Sequence, residues 1–201
     1  MVVSVVNRKG GAGKSTTAIH LAAAFSDLGE TALVDLDDEG STSIEYASGG
    51  HLPFLTTDSV GWEREHARKH WDHVVVDGYA RPNAQQIEAL AKRSDMVVIP
   101  TPPDAVSLRV LARFLGDLDP NSGRFRVLVT MVPPFPSREG AKARADLRRG
   151  NVPTFETTVP RAAPFTRAAR VKRLAWDMPR GNRLRFLFDD LAKEVIAHGS
   201  T

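Results

Sequence analysis

The chain has 201 residues, 42% of them hydrophobic, which is enough for one domain with a single sizeable core. It has no cysteine, so disulfide frameworks and thiolate metal sites are excluded. No apolar run reaches the ~18 residues of a membrane span, and MVVSVV lacks the basic start of a signal peptide, so a cytoplasmic protein is expected. The formal net charge of +3 is unevenly spread: residues 1–100 hold 9 Lys/Arg against 14 Asp/Glu, residues 101–201 hold 18 against 10, and 137–185 alone hold 13 against 4. An acidic partner such as nucleic acid would suit the C-terminal half; a solvated basic surface is the plainer alternative.

In chain order, Val2–Val6 is predicted as a strand, and Lys14–Leu28, apolar at helical spacing and stopped by Gly29, as a helix. Thr31–Val34 is a strand ending on Asp35, and His73–Val76 a strand ending on Asp77. Residues 36–72 are the least regular part. Asn83–Lys92 is a helix with Pro82 suited to its start, Met96–Ile99 a strand, Ala105–Leu118 a helix and Arg126–Met131 a strand. Glu139–Arg149 is a helix, followed by a short strand near Val152–Phe155 and helices over Arg161–Leu174 and Arg183–His198. Near-continuous apolar strands alternating with helices predict one α/β domain over 1–201, with a mostly parallel twisted sheet covered on both faces.

NRKGGAGKST (7–16) lies between the first strand and the first helix, and it nearly matches the phosphate loop G-x-x-x-x-G-K-[ST]. Gly10, Gly11 and Gly13 let successive N–H groups turn inward around phosphate oxygens, with Ala12 among them, at a helix N-terminus. Lys14 is placed to reach the β- and γ-phosphates, Ser15 to ligate Mg²⁺, and Thr16 to assist at the α-phosphate. Lys9 precedes the nest and is expected to project from its mouth, either into solvent or toward the phosphates of a second subunit. Strand-end carboxylates complete such a site. Asp77 follows three valines as in a Walker B strand, and Asp35 and Asp37 end the second strand; helix capping is the alternative for Asp77 and Asp37.

Lys9-Gly10-Gly11-Ala12-Gly13-Lys14-Ser15 resembles the deviant Walker A motif of the ParA/MinD ATPases. The resemblance runs from residue 2 to about 196 and is strongest before residue 104. It implies a P-loop NTPase domain that hydrolyses ATP to ADP with Mg²⁺. It also implies a homodimer that closes with ATP, with Lys9 inserted across the interface. Asp37 matches the family's water-positioning Asp and a metal-site residue, although the usual Pro-Gln after it is replaced by Asp38-Glu39. Asp77-Gly78 matches the third motif, and SDMVVIPTPPD (94–104) the family's next strand and proline loop. Met131, Pro160 and Arg161 fall where the family builds its adenine pocket.

The family divides by cargo: ParA-type members bind nonspecific DNA, and MinD-type members bind membrane through an amphipathic C-terminal helix. Here Asp189-Asp190 would repel an anionic surface, and the apolar positions of RLRFLFDDLAKEVI suit a helix docked on its own sheet, so no membrane partner is expected. Lys142, Arg148, Arg149, Arg167, Arg170, Lys172 and Arg173 are the candidate DNA contacts. Nothing precedes the first strand, so the expectation is a short partition ATPase without an operator-reading helix-turn-helix. It would be nucleoid-associated and stimulated by a ParB-like centromere-binding adaptor. The alternatives are a MinD-like or cargo-positioning ATPase acting on a membrane or protein assembly, and a nucleotide-gated scaffold with little turnover.

Overall fold

A computed structural model describes residues 1–37, 40, 42–66, 70–116, 118 and 125–199. Six strands form an all-parallel sheet: β1 (Val2–Val5), β2 (Thr31–Asp35), β3 (Leu55–Asp58), β4 (His73–Asp77), β5 (Met96–Thr101) and β6 (Phe125–Val129). Their order is β3-β2-β4-β1-β5-β6, so β4 and β1 lie in the middle. The valines of β1, β4 and β5 are buried because helices cover both faces, which is why these strands read as apolar runs. Helices α1 (Lys14–Phe25) and α8 (Asn182–Gly199) close one face through Ile19, Phe25, Phe188 and Leu191. Helices α4 (Ala84–Arg93) and α5 (Ala105–Leu115) close the other through Ile87, Leu111 and Phe114.

Local chemistry sets the element ends. Asn83 caps α4 in a reciprocal capping box with Gln86, so that helix begins one residue later than its sequence suggests. Asp104 caps α5 by accepting from the Ser107 N–H at 2.9 Å. Helix α5 stops at Leu115 rather than Leu118, with Gly116 at its C-terminal cap. Three elements lie in the stretch that read as irregular: α2 (Thr42–Ala47), β3 and α3 (Ser59–His66). The predicted strand near Val152–Phe155 is reduced to a single bridge between Thr154 and Val127. Pro153 has no N–H to donate there, and the Val152 N–H caps the end of α6 (Glu139–Arg149) on the Leu147 carbonyl at 2.9 Å. Helix α7 (Ala163–Val171) is shorter than predicted because Lys172 turns left-handed at φ +54°, which leaves Arg173 beyond the helix.

His20 joins α1 to the C-terminal half. It is fully buried; its Nδ1 donates to the Thr16 carbonyl at 2.7 Å and its Nε2 accepts from the Ala175 N–H at 2.9 Å. Phe165, Trp176 and Phe188 surround its ring. Burial lowers its pKa to about 4, against the pull of the Thr16 carbonyl, so the ring is held neutral. The unfolded chain therefore binds a proton here that the folded chain refuses, and His20 loses stabilising power as pH falls from about 6.5 toward 4. In urea unfolding, the wild-type advantage over His20→Phe is expected to shrink by roughly 2 kcal/mol between pH 7 and pH 5. Groups that titrate alike in both chains, such as the buried Asp77, cancel in this difference.

Candidate nucleotide site

The loop after β1 is fixed from several sides. Buried Asn7 donates through Nδ2 to the Pro100 carbonyl at 2.6 Å and accepts the Lys9 N–H at 2.7 Å, which ties the loop to the end of β5. Gly11 and Gly13 have φ of +71° and +93°, a left-handed backbone that side chains disfavour. The Thr130 hydroxyl, at the end of β6, donates to the Ala12 carbonyl at 2.8 Å. The curled backbone delivers the N-terminus of α1, which no side chain caps and which has no acidic residue in its first turn. Such an end has N–H groups to offer an anion. Gly10 and Gly11 are exposed, and Lys14 is buried.

Strand register brings the acids to this loop. Asp77 pairs with Val5 on one side and with Asp35 on the other. Asp77 is fully buried; one oxygen accepts the Ser43 hydroxyl at 2.7 Å, while Oδ1 has no hydrogen-bond partner. Burial pushes its carboxyl up to about 6; Ser43, Ser15 and the Lys14 ammonium oppose this, and Asp35 reinforces it. An orphaned buried carboxylate oxygen beside Ser15 is a donor set suited to a hard cation. Among the described residues there is no cluster of three or more His, Cys, Asp or Glu that could hold a metal. Asp35 serves as an organiser: its Oδ1 accepts the Asp37 N–H at 2.9 Å, and its Oδ2 accepts the Ser43 and Ile44 N–H groups at 2.9 and 3.2 Å. Asp37 is half-buried beside Gly40, while Asp38 and Glu39 lie outside the described residues.

Met131, Pro160 and Arg161 come together in the structure. With Thr16, Thr130 and Phe165 they line a cavity of about 120 Å³ that reaches Gly13. It is shaped by a left-handed Met131 at φ +51° and by the Arg161 N–H donating to the Val132 carbonyl at 2.8 Å.

Lys9 differs from expectation. Its ammonium does not project freely: it donates to the Ser107 hydroxyl and forms an ion pair with Asp104 at 3.4 Å, at the N-terminus of α5 in the same subunit. Ser107 first, and Lys9 after it, hold the Asp104 carboxyl down to about 2. In the basic cluster on α6, Arg148 pairs with Glu156 and Arg149 with Asp146, and both stay exposed, as Lys142 does. Lys172 is half-buried and donates to the Ser48 hydroxyl at 2.7 Å. Arg167, Arg170 and Arg173 are exposed. Sequence reasoning missed Ser43, Thr130 and the bracing role of Asn7. Only Asn7, directly before the motif, carried a positional cue.

A parallel sheet with a strand–glycine loop–helix unit and carboxylates on the adjoining strand ends defines a P-loop nucleotide-binding protein. The sequence profile of the CobQ/CobB/MinD/ParA nucleotide-binding domain matches residues 3–174, and the chain belongs to that family. It is a ParA/MinD-type ATPase. It is 35% identical to maintenance of carboxysome distribution protein A of Gloeobacter kilaueensis over 173 residues, covering 84% of this chain and 80% of that protein. It is 29% identical to the chromosome-partitioning ATPase Soj of Thermus thermophilus over 171 residues, covering 64% and 68%. In fold it is similar to apo McdA of Cyanothece, with a TM-score of 0.74 at 15% identity over 97% of this chain and 98% of that one. Lys14→Ala removes the buried ammonium and is expected to abolish binding of a fluorescent ATP analogue, measured by titration, while the fold is retained by circular dichroism.

Proposed function

We propose that the chain is a ParA-type positioning ATPase: an ATP-closed homodimer that holds nonspecific DNA and lets go on hydrolysis. The observation that carries this reading is the pairing of a Lys9-to-Ser15 loop with three exposed arginines, Arg167 and Arg170 on α7 and Arg173 just beyond it. Gly10, Gly11, Ala12, Gly13, Lys14, Ser15 and Thr16 take the phosphates, and Met131, Pro160 and Arg161 take the base. Ser15, Asp37 and Asp77 are the residues that would hold Mg²⁺, which when bound neutralises phosphate charge. Asp37 orients a water for in-line attack on the γ-phosphate. Lys9 leaves Asp104 and Ser107 to reach the partner's phosphates, where a fixed cation stabilises the transferring group. Closure doubles the arginine face, so DNA affinity gains from bivalency without a new contact.

In the principal reading the cargo is a replicon, recruited through a ParB-like centromere-binding adaptor, and the protein resides on the nucleoid. A second reading, a protein assembly as cargo, is favoured by the 35% identity to a carboxysome distribution protein. No described helix is long and apolar enough to cross a membrane, and the apolar side of α8 (Leu184, Phe188, Leu191, Val195) is buried against the core, which argues against a membrane track.

Asp37→Ala is expected to dimerise with ATP without turnover; normal hydrolysis by this variant would remove Asp37 from its role. The reading as a whole is tested with a random-sequence duplex at two salt concentrations, with ADP and with a slowly hydrolysed ATP analogue, beside anionic liposomes. Salt-sensitive binding only with the analogue is expected. Arg167→Ala/Arg170→Ala removes four guanidinium groups from the closed dimer, and the slope of log affinity against log salt should fall by about 4. No DNA binding with either nucleotide would sink the DNA track and leave the ATPase standing.

A further inference from the structure

Helix α2 is only six residues long, and its two ends are tied to different parts of the molecule. At its N-terminal end, Ser43 and Ile44 donate backbone N–H groups to Asp35, and the Ser43 hydroxyl donates to Asp77. The same Asp35 carboxylate holds the Asp37 N–H. At its C-terminal end, the Tyr46 hydroxyl donates to the Arg173 carbonyl. Just beyond, Lys172 Nζ donates to Ser48 Oγ at 2.7 Å, and Gly49 approaches so closely that a Cβ there would sit 2.5 Å from Lys172 Cβ. Tyr46 is buried in the main core; burial first, then Asp177, push its phenol upward, so it remains a donor.

Lys172 and Arg173 close the end of α7, the helix that carries Arg167 and Arg170. Two residues on, the Ala175 N–H donates to His20, which itself donates to the Thr16 carbonyl in the first turn of α1. The segment Lys172–Ala175 is thus held from two sides. His20 grips it from the rigid helix α1, and Tyr46 grips it from an element whose other end rests on the strand-end carboxylates.

We propose that α2 is a transmission strut: the state of the phosphate and metal site, felt at Ser43 through Asp35 and Asp77, is passed through Tyr46 to the C-terminal cap of α7 and sets the order of that helix. The geometry supplies a contiguous hydrogen-bonded path, one short element tied at both ends. A six-residue helix spans about 9 Å, the distance this coupling has to cover. A ligand that recruits the unpartnered Asp77 Oδ1 fixes the carboxylate plane and with it the Ser43 hydroxyl on the other oxygen. A buried hydroxyl such as that of Tyr46 transmits this because leaving its bond unmade is costly. The proposal rests on nucleotide binding at the loop and is independent of what α7 touches.

The test is amide hydrogen exchange on the intact chain with Mg²⁺ and either ADP or a slowly hydrolysed ATP analogue. In the wild type, α7 amides should exchange several-fold more slowly with the analogue. Tyr46→Phe keeps the ring and removes the hydroxyl; the difference at α7 should collapse toward unity while amides 10–16 stay protected. Loss of one ordinary hydrogen bond corresponds to about a fivefold change in exchange rate. Protection of amides 10–16, read in the same experiment, reports nucleotide binding itself and separates its failure from failure of the strut. Ser48→Ala, at a position outside the core, removes the second tie and should diminish the same difference; it carries the test if Tyr46→Phe does not fold. An α7 response unchanged in both variants, or no α7 response in a wild type whose loop is protected, overturns the proposal.

Discussion

A carboxylate placed in the middle of a parallel sheet, where water does not reach, constrains everything around it. Asp77 ends the strand that lies between β1 and β2, and its burial would be costly without partners. Lys14 supplies a charge, Ser43 a hydrogen bond, and Ser15 a hydroxyl at the head of α1. The remaining carboxylate oxygen, which has no hydrogen-bond partner, suits a cation. The position of α2 follows from the same constraint, because Ser43 must reach Asp77 while Asp35 takes the first N–H groups of the helix.

How much of this was legible depended on how strongly each stretch declared itself. The central strands, the glycine loop and the strand-end acids stood out because buried parallel strands are apolar throughout and a phosphate nest needs glycine, lysine and a hydroxyl in order. The pocket residues Met131, Pro160 and Arg161 were found through resemblance, and their shared cavity arises from a left-handed Met131 that no periodicity reveals. The stretch 36–72 stayed unread because β3 is a half-exposed edge strand and α2 is too short to show a helical period. The docking of Lys9 on Asp104 and Ser107 joins residues 95 or more apart in sequence, a contact that spacing alone cannot supply.

The charge asymmetry of the chain also resolves into two kinds of cation. Arg144 and Arg148 are spent on Glu156, and Arg185 on Asp27 and Asp189, where they brace the surface. Arg167 and Arg170 stand exposed on a helix whose Ala168 is fully buried, so the same short element packs inward with its small residue and presents guanidinium groups outward. Composition predicted an excess of charge, and folding selected which part of it faces outward.

The reduced strand at the far edge has its own consequence. A bare β6 edge would offer a row of N–H and C=O groups to another chain. Instead the Val127 N–H donates to Pro153, the Phe155 N–H to Val127 and the Val159 N–H to Val129. Pro153 and Pro160 occupy the outer layer, where they have no donor to present in turn. This side of the sheet is therefore covered, and the covering segment presents only a short, proline-interrupted edge. Any higher-order assembly of this chain on that side must be built from helices and loops, surfaces whose association can be reversed without unzipping a ladder of backbone bonds.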